Sequence, residues 1–227
     1  MRNLVAHIGE WWRALTDPRH ASRIVLDEDR QPGFIRFVVI GTVILYAAYG
    51  FSMGLFRGFV PGLISAMKMP MLYLLTLCVC FPVFYVLNCM TGPGLKLEQA
   101  IRLLVIAVSA NAVAISSYTP LSLFFTLTTS KAGYPFMIIM HVLVLGLAGL
   151  VSLVVIILNF RATATAMNKS VRPFLVVTWG AIYGLAGTQM AWVLRPMIGT
   201  WSAPYTAFRS IEGSFIERIW QLIITMF

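Results

Sequence analysis

Between Met69 and Met90 the chain runs for about 22 residues without a charged side chain, inside the stretch KMPMLYLLTLCVCFPVFYVLNCMTGPGL that extends from Lys68 to Leu95. At about 1.5 Å per residue a helix of that length crosses a hydrocarbon core of roughly 30 Å. The stretch therefore predicts a spanning helix. Pro82, Asn88, Cys78, Cys80 and Cys89 interrupt what would otherwise be plain aliphatic surface. A proline inside a membrane helix frees a carbonyl that neighbouring helices must satisfy, which places this segment within a bundle. Pro82 reads as a structural kink, with a moving hinge as the alternative. Asn88, near the helix end, reads as a hydrogen-bonding group for a neighbouring helix or a headgroup. Thr91-Gly92-Pro93-Gly94 predicts a tight exit loop.

The rest of the chain has the same character. It is 227 residues long, 59% hydrophobic and 11% charged, with mean hydropathy +0.84, whereas soluble domains carry about 25% charged residues. The expected class is an all-α, polytopic membrane protein with one compact helical domain. The net charge of +9 comes from bases placed singly between apolar runs, a pattern that sets topology and meets anionic headgroups and argues against nucleic acid. Cys78 and Cys80 point about 200° apart on a helix, so neither a CxxC metal pair nor a disulfide framework is present.

Residues 1–33 lack the apolar core of a signal peptide and are expected to remain as an amphipathic cytoplasmic segment. Leu4, Val5, Ile8, Trp11, Trp12 and Leu15 share one helical face, which predicts an interfacial helix with Trp11 and Trp12 at the membrane surface; packing on a partner protein is the alternative. Asp17-Pro18 ends that helix, and Asp27-Glu28-Asp29-Arg30 reads as a solvated linker. Residues 34–195 are expected to hold five spans: about 35–56, 69–90, 100–118, 134–160 and 173–194. The connection from Arg57 to Lys68, with Phe59, Val60, Leu63, Ile64 and Met67 at helical spacing, predicts a short separate helix dipping into the interface. Residues 196–227 form a C-terminal segment whose Phe215, Ile216, Ile219, Trp220, Ile223, Ile224 and Phe227 share an apolar face, predicting a second interfacial helix that starts at the capping pattern Ser214 to Glu217.

Three sets of residues are candidate sites. Small residues suited to helix packing are Gly41, Ala47, Ala48, Gly50 and Gly54 in the first span, Gly146 and Gly149 in the fourth, and Gly180, Gly184 and Gly187 in the fifth. Ser109, Asn111 and the helix-breaking Pro120 give the third span a polar, interrupted character that could line a solute path, although serines more often bond to neighbouring backbone. His141, the one histidine inside a span, could ligate haem, a chlorin or a metal, or simply bond to a neighbouring helix. No acid lies inside a proposed span, and the chain has no GxSxG, HExxH or phosphate-binding glycine loop, which weighs against an enzyme and against cation-coupled transport.

With five spans, eleven bases fall on the N-terminal side and six on the other, which predicts a cytoplasmic N-terminus in a cell membrane and an external or lumenal C-terminus. The polar N-terminal segment, the five clustered spans, this orientation, and Gly94-Leu95-Lys96-Leu97-Glu98-Gln99-Ala100 leading into a serine-rich third span that reaches Pro120 together resemble the Yip family of five-span membrane proteins. The resemblance covers residues 34–195 and implies a non-enzymatic membrane organiser with no catalytic residues to transfer. The first functional expectation is thus a scaffold or subunit embedded in the bilayer and docking other membrane proteins. A channel or transporter for a small solute and a pigment- or haem-binding subunit are the alternatives.

Overall fold

The computed structural model describes residues 2–27, 32–130, 133–169 and 173–194, and every statement below concerns those residues. They are helical nearly throughout. The order is α1 (Arg2–Thr16), α2 (Pro18–Leu26), α3 (Pro32–Gly54), a 3-10 turn (Leu55–Arg57), α4 (Phe59–Thr91), α5 (Leu97–Ser117), α6 (Thr119–Thr128), α7 (Tyr134–Ala166) and α8 (Pro173–Val193). Four stretches are long and apolar enough to cross a membrane: Gly33–Arg57, Phe59–Met90, Leu97–Thr128 and Tyr134–Ala166. The expected C-terminal helix, with Trp220, and most of the acidic linker lie outside the described residues.

Burial sorts the helices. In the stretch formed by α5 and α6, 61% of the apolar window is buried, against 22 to 33% in the other three. The helix α5 is therefore the centre of the bundle. It packs against α3 and α7 and is covered at its N-terminal end by α2. Ala100, Leu103, Leu104, Ile106, Ala112 and Ile115 are closed off almost completely. The outward faces of α3, α4 and α7 keep large aliphatic side chains exposed, including Ile40, Ile44, Val79, Val142, Leu147 and Val154. That is the inversion a lipid solvent allows, since aliphatic surface costs nothing there.

The closest helix pair is α3 with α4, and its cause is glycine. A methyl group built on Gly50 would overlap the Ser65 carbonyl oxygen, and one built on Gly54 would sit 2.6 Å from the Pro61 carbonyl oxygen. Only the absence of a Cβ lets the two backbones come so near.

One boundary differs from the sequence expectation and another follows it. The Arg57–Lys68 connection is no separate surface helix: after the turn at Gly58, whose φ of 139° suits glycine, α4 runs unbroken for 33 residues through both Pro70 and Pro82. The Gly54 contact explains this, because α4 must start early to bring Pro61 and Ser65 against α3. The third span divides as Pro120 predicts. At Tyr118 (φ −87°, ψ −1°) α5 stops, and α6 restarts with the proline in its first turn.

The N-terminal segment is part of the bundle. The Asp17 side chain accepts the Arg19 N–H at 2.9 Å and Pro18 opens α2, so the chain reverses there. Ala21, Ile24 and Val25 of α2 are fully buried against α5 and α7.

Candidate functional site

The polar groups of the bundle gather along one face of α3. Thr42, Tyr46, Tyr49 and Ser52 recur at three- or four-residue intervals, the spacing that stacks side chains on one side of a helix. All four are buried, and the last three each reach a different helix. The Tyr46 hydroxyl lies 2.9 Å from Asn111 Oδ1 and 3.1 Å from the Val108 carbonyl oxygen, both on α5. The Tyr49 hydroxyl lies 2.6 Å from His141 Nδ1 on α7, with the two rings edge to face. Ser52 Oγ lies 3.0 Å from Ser122 Oγ on α6, and Thr126 of α6 donates to the Ser52 carbonyl at 3.2 Å. A single helix thus holds α5, α6 and α7 in register through a polar seam. Tyr73 of α4 stacks flat on Tyr46, 4.2 Å between ring centres, and seals the seam on its fourth side.

Other ties work at the margins. Trp11 of α1 donates to Ser109 Oγ at 3.0 Å and lies against Gly41, where a methyl group would be 2.7 Å from the indole. Lys68 is buried in α4, and its Nζ donates to the Leu194 carbonyl at 2.8 Å. A cation at the C-terminal end of α8 is favoured by the helix dipole. Asn88 mimics a peptide group: it donates to the Leu95 carbonyl at 3.1 Å and accepts the Leu95 N–H at 3.2 Å, closing the α4–α5 loop around Gly94. Lys169 donates to the Pro93 carbonyl at 2.5 Å and ties the end of α7 to the same loop.

The expected site residues do not converge on one point. Ser109 faces Trp11, Asn111 faces Tyr46, and His141 faces Tyr49, so each is spent on a different helix contact. His141 is 2% exposed, and its Nε2 is buried without a hydrogen-bond partner. Haem or chlorin ligation there would need the packed core to open around that nitrogen. Among the described residues no group of three His, Cys, Asp or Glu side chains could hold a metal ion. Cys80 is buried while Cys78 and Cys89 are exposed, and all three are free thiols.

The packing glycines divide into two groups. A Cβ added to Gly180 would lie 2.5 Å from Leu153 of α7 and one added to Gly187 would lie 3.7 Å from Thr76 of α4, so both serve contacts inside the chain. Among the described residues, a Cβ on Gly146, Gly149 or Gly184 would meet nothing within 4 Å. These three open outward. Of the aromatic residues expected at the interface, Trp12 is exposed and Trp11 is drawn into the bundle.

Sequence reasoning missed Tyr46, Tyr49, Ser52 and Lys68. The first three carry a readable signal, hydroxyl side chains at i, i+3 and i+6 on one face of an otherwise apolar span. Lys68 carries none, because it closes an expected loop in the sequence and reaches a carbonyl 126 residues away. Comparison with known protein families, curated proteins and solved structures finds no match for this chain.

Proposed function

We propose that this chain is a five-span, non-enzymatic membrane protein that serves as a scaffold or subunit of a larger membrane assembly, with its N-terminus in the cytoplasm. The fifth span in this reading is α8, whose 21 residues reach about 32 Å at 1.5 Å per residue. The orientation follows from the bases concentrated on the side of α1, α2 and the end of α7.

The observation that carries the reading is the contrast between inside and outside. Inside, the seam side chains are taken up by helix contacts, which leaves them engaged in holding the bundle and poorly placed to react. Outside, Gly146 and Gly149 leave a shallow opening in α7 between exposed Val142, Leu143, Leu147 and Leu150. Glycines that no described helix of the same chain uses are suited to a helix of another chain. The test is a photo-crosslinker at Leu147 in native membranes, paired with the double substitution Gly146→Leu and Gly149→Leu. Crosslinks to a discrete membrane protein, lost in the double variant while the fold is kept, support the reading; crosslinks to lipid alone would refute it.

A solute path is the second reading. It is favoured by the α5–α6 break and by two buried groups without partners, Thr119 Oγ1 and His141 Nε2, which an occupant could engage. Solute flux into liposomes that Asn111→Leu abolishes would decide for it.

A further inference from the structure

The helix α1 presents three sectors, and they correspond to three different surroundings. At about 100° per residue, with Leu4 as origin, His7, Trp11 and Ala14 fall between about 280° and 340°. These touch the bundle: His7 lies 5.5 Å from the Phe37 ring, Trp11 bonds to Ser109, and Ala14 is fully buried. Ile8, Trp12 and Val5 follow at about 40°, 80° and 100°, and with Leu4 they are 50 to 68% exposed. Gly9, Arg13 and Glu10 fill the remaining arc from about 140° to 240°. A packed sector, an exposed apolar sector and a polar sector thus share the same helix.

The depth of α1 agrees with this division. Gly41, where the Trp11 ring rests, is about 13 Å along α3 from Pro32, and Ser109 is about 18 Å along α5 from Leu97, at 1.5 Å per residue. One leaflet of hydrocarbon is about 15 Å thick. Measured from those helix ends, the Trp11 ring lies near the inner edge of one leaflet, so the outer sector of α1 faces acyl chains and Arg13 reaches the headgroups by extending its stem outward along the bundle. Around it the charges are of one sign in excess. Arg13 on α1, Arg19 and Arg23 on α2 and Arg36 on α3 are exposed, four bases against the three described acids Glu10, Asp17 and Asp27, of which Asp17 accepts a backbone N–H.

We propose that α1 and α2 form a binding surface for anionic phospholipid: acyl chains lie on Leu4, Val5, Ile8 and Trp12, and the phosphate meets Arg13, Arg19 and Arg23. Aliphatic surface and cationic rim side by side match the two halves of a charged lipid. The inference rests on membrane insertion and is independent of the scaffold role.

The test uses the full chain reconstituted in vesicles of phosphatidylcholine with a minority of phosphatidylglycerol. Insertion is first checked by resistance to alkaline carbonate extraction, and the lipids retained in mild detergent are then measured by native mass spectrometry. Phosphatidylglycerol is expected to be enriched over phosphatidylcholine, with each arginine worth about fivefold at low salt. The triple substitution R13Q/R19Q/R23Q should cut the preference by about tenfold or more. The three side chains are exposed, so the variant should fold. For the unaltered chain, raising salt from about 50 mM to about 500 mM should erode the preference as screening shortens. Inserted protein with equal retention of both lipids, an enrichment insensitive to salt, or a folded triple variant that keeps it would overturn the proposal. Failure to insert would overturn the membrane reading as well.

Discussion

The Tyr49–His141 pair offers the sharpest test of the idea that the seam exists to hold helices. Tyr49→Phe deletes the one hydrogen bond that the hydroxyl makes among the described residues and leaves His141 with no partner at either nitrogen. A stranded buried polar group costs about 1–3 kcal/mol in proteins generally, while interhelical hydrogen bonds in membranes average about 0.6 and reach about 1.7 kcal/mol. The bond is short, at 2.6 Å, and shielded, so a loss of about 1.5 kcal/mol is expected, near the upper end of the membrane range. His141→Leu also breaks the pair, but it removes the partnerless Nε2 at the same time and should cost less. The double variant replaces both polar ends with apolar ones, so its cost should fall below the sum of the two by about 1 kcal/mol. Reversible unfolding by SDS titration in mixed micelles measures all four proteins. Additive losses, agreeing within about 0.5 kcal/mol, would show that the two side chains do not support one another and would refute the structural account of the seam. A double variant that is well folded but inactive in a flux assay would instead move the argument towards the solute path.

Gly50→Ala should destabilise the fold by about 1–3 kcal/mol, because the added methyl meets a backbone carbonyl that cannot turn aside; a melting temperature equal to that of the unaltered chain would contradict the close α3–α4 approach. Gly146→Leu with Gly149→Leu should leave stability in detergent unchanged, since among the described residues nothing lies within 4 Å of a Cβ at either position, and should abolish association with a partner. Lys68→Met frees the Leu194 carbonyl and should speed amide hydrogen exchange over the last turn of α8 without changing exchange in α5. Trp11→Phe keeps the ring against Gly41 and loses the bond to Ser109, so its cost should stay near about 1 kcal/mol.

Much of the architecture was legible from residue order. The uncharged run from Met69 to Met90 marks a helix long enough to cross a membrane, Pro120 marks the place where α5 gives way to α6, and Gly50 and Gly54 mark a close helix contact. These are local properties: length, hydropathy and backbone chemistry act on the residues that carry them. The extent of α4 was not legible, because the segment from Phe59 to Lys68 is apolar enough for either a surface helix or a continuation, and the choice depends on the seat that α3 provides. The candidate site was legible only in half. Asn111, Ser109 and His141 stand out as polar groups in apolar runs, but their partners Tyr46, Trp11 and Tyr49 lie between 65 and 98 residues away in sequence.

By itself the sequence determined that the chain builds apolar helices of spanning length and keeps acids out of their interiors, with Glu98 only in the first turn of α5, because both facts follow from side-chain transfer energies counted along the chain. Tertiary structure alone decided which glycines are used internally and which face outward. It also drew Trp11 into the bundle and left Trp12 exposed, and it left Nε2 of His141 enclosed without a partner. Those outcomes depend on which helix lies beside which, and that is set by the sum of many small packing terms between distant segments.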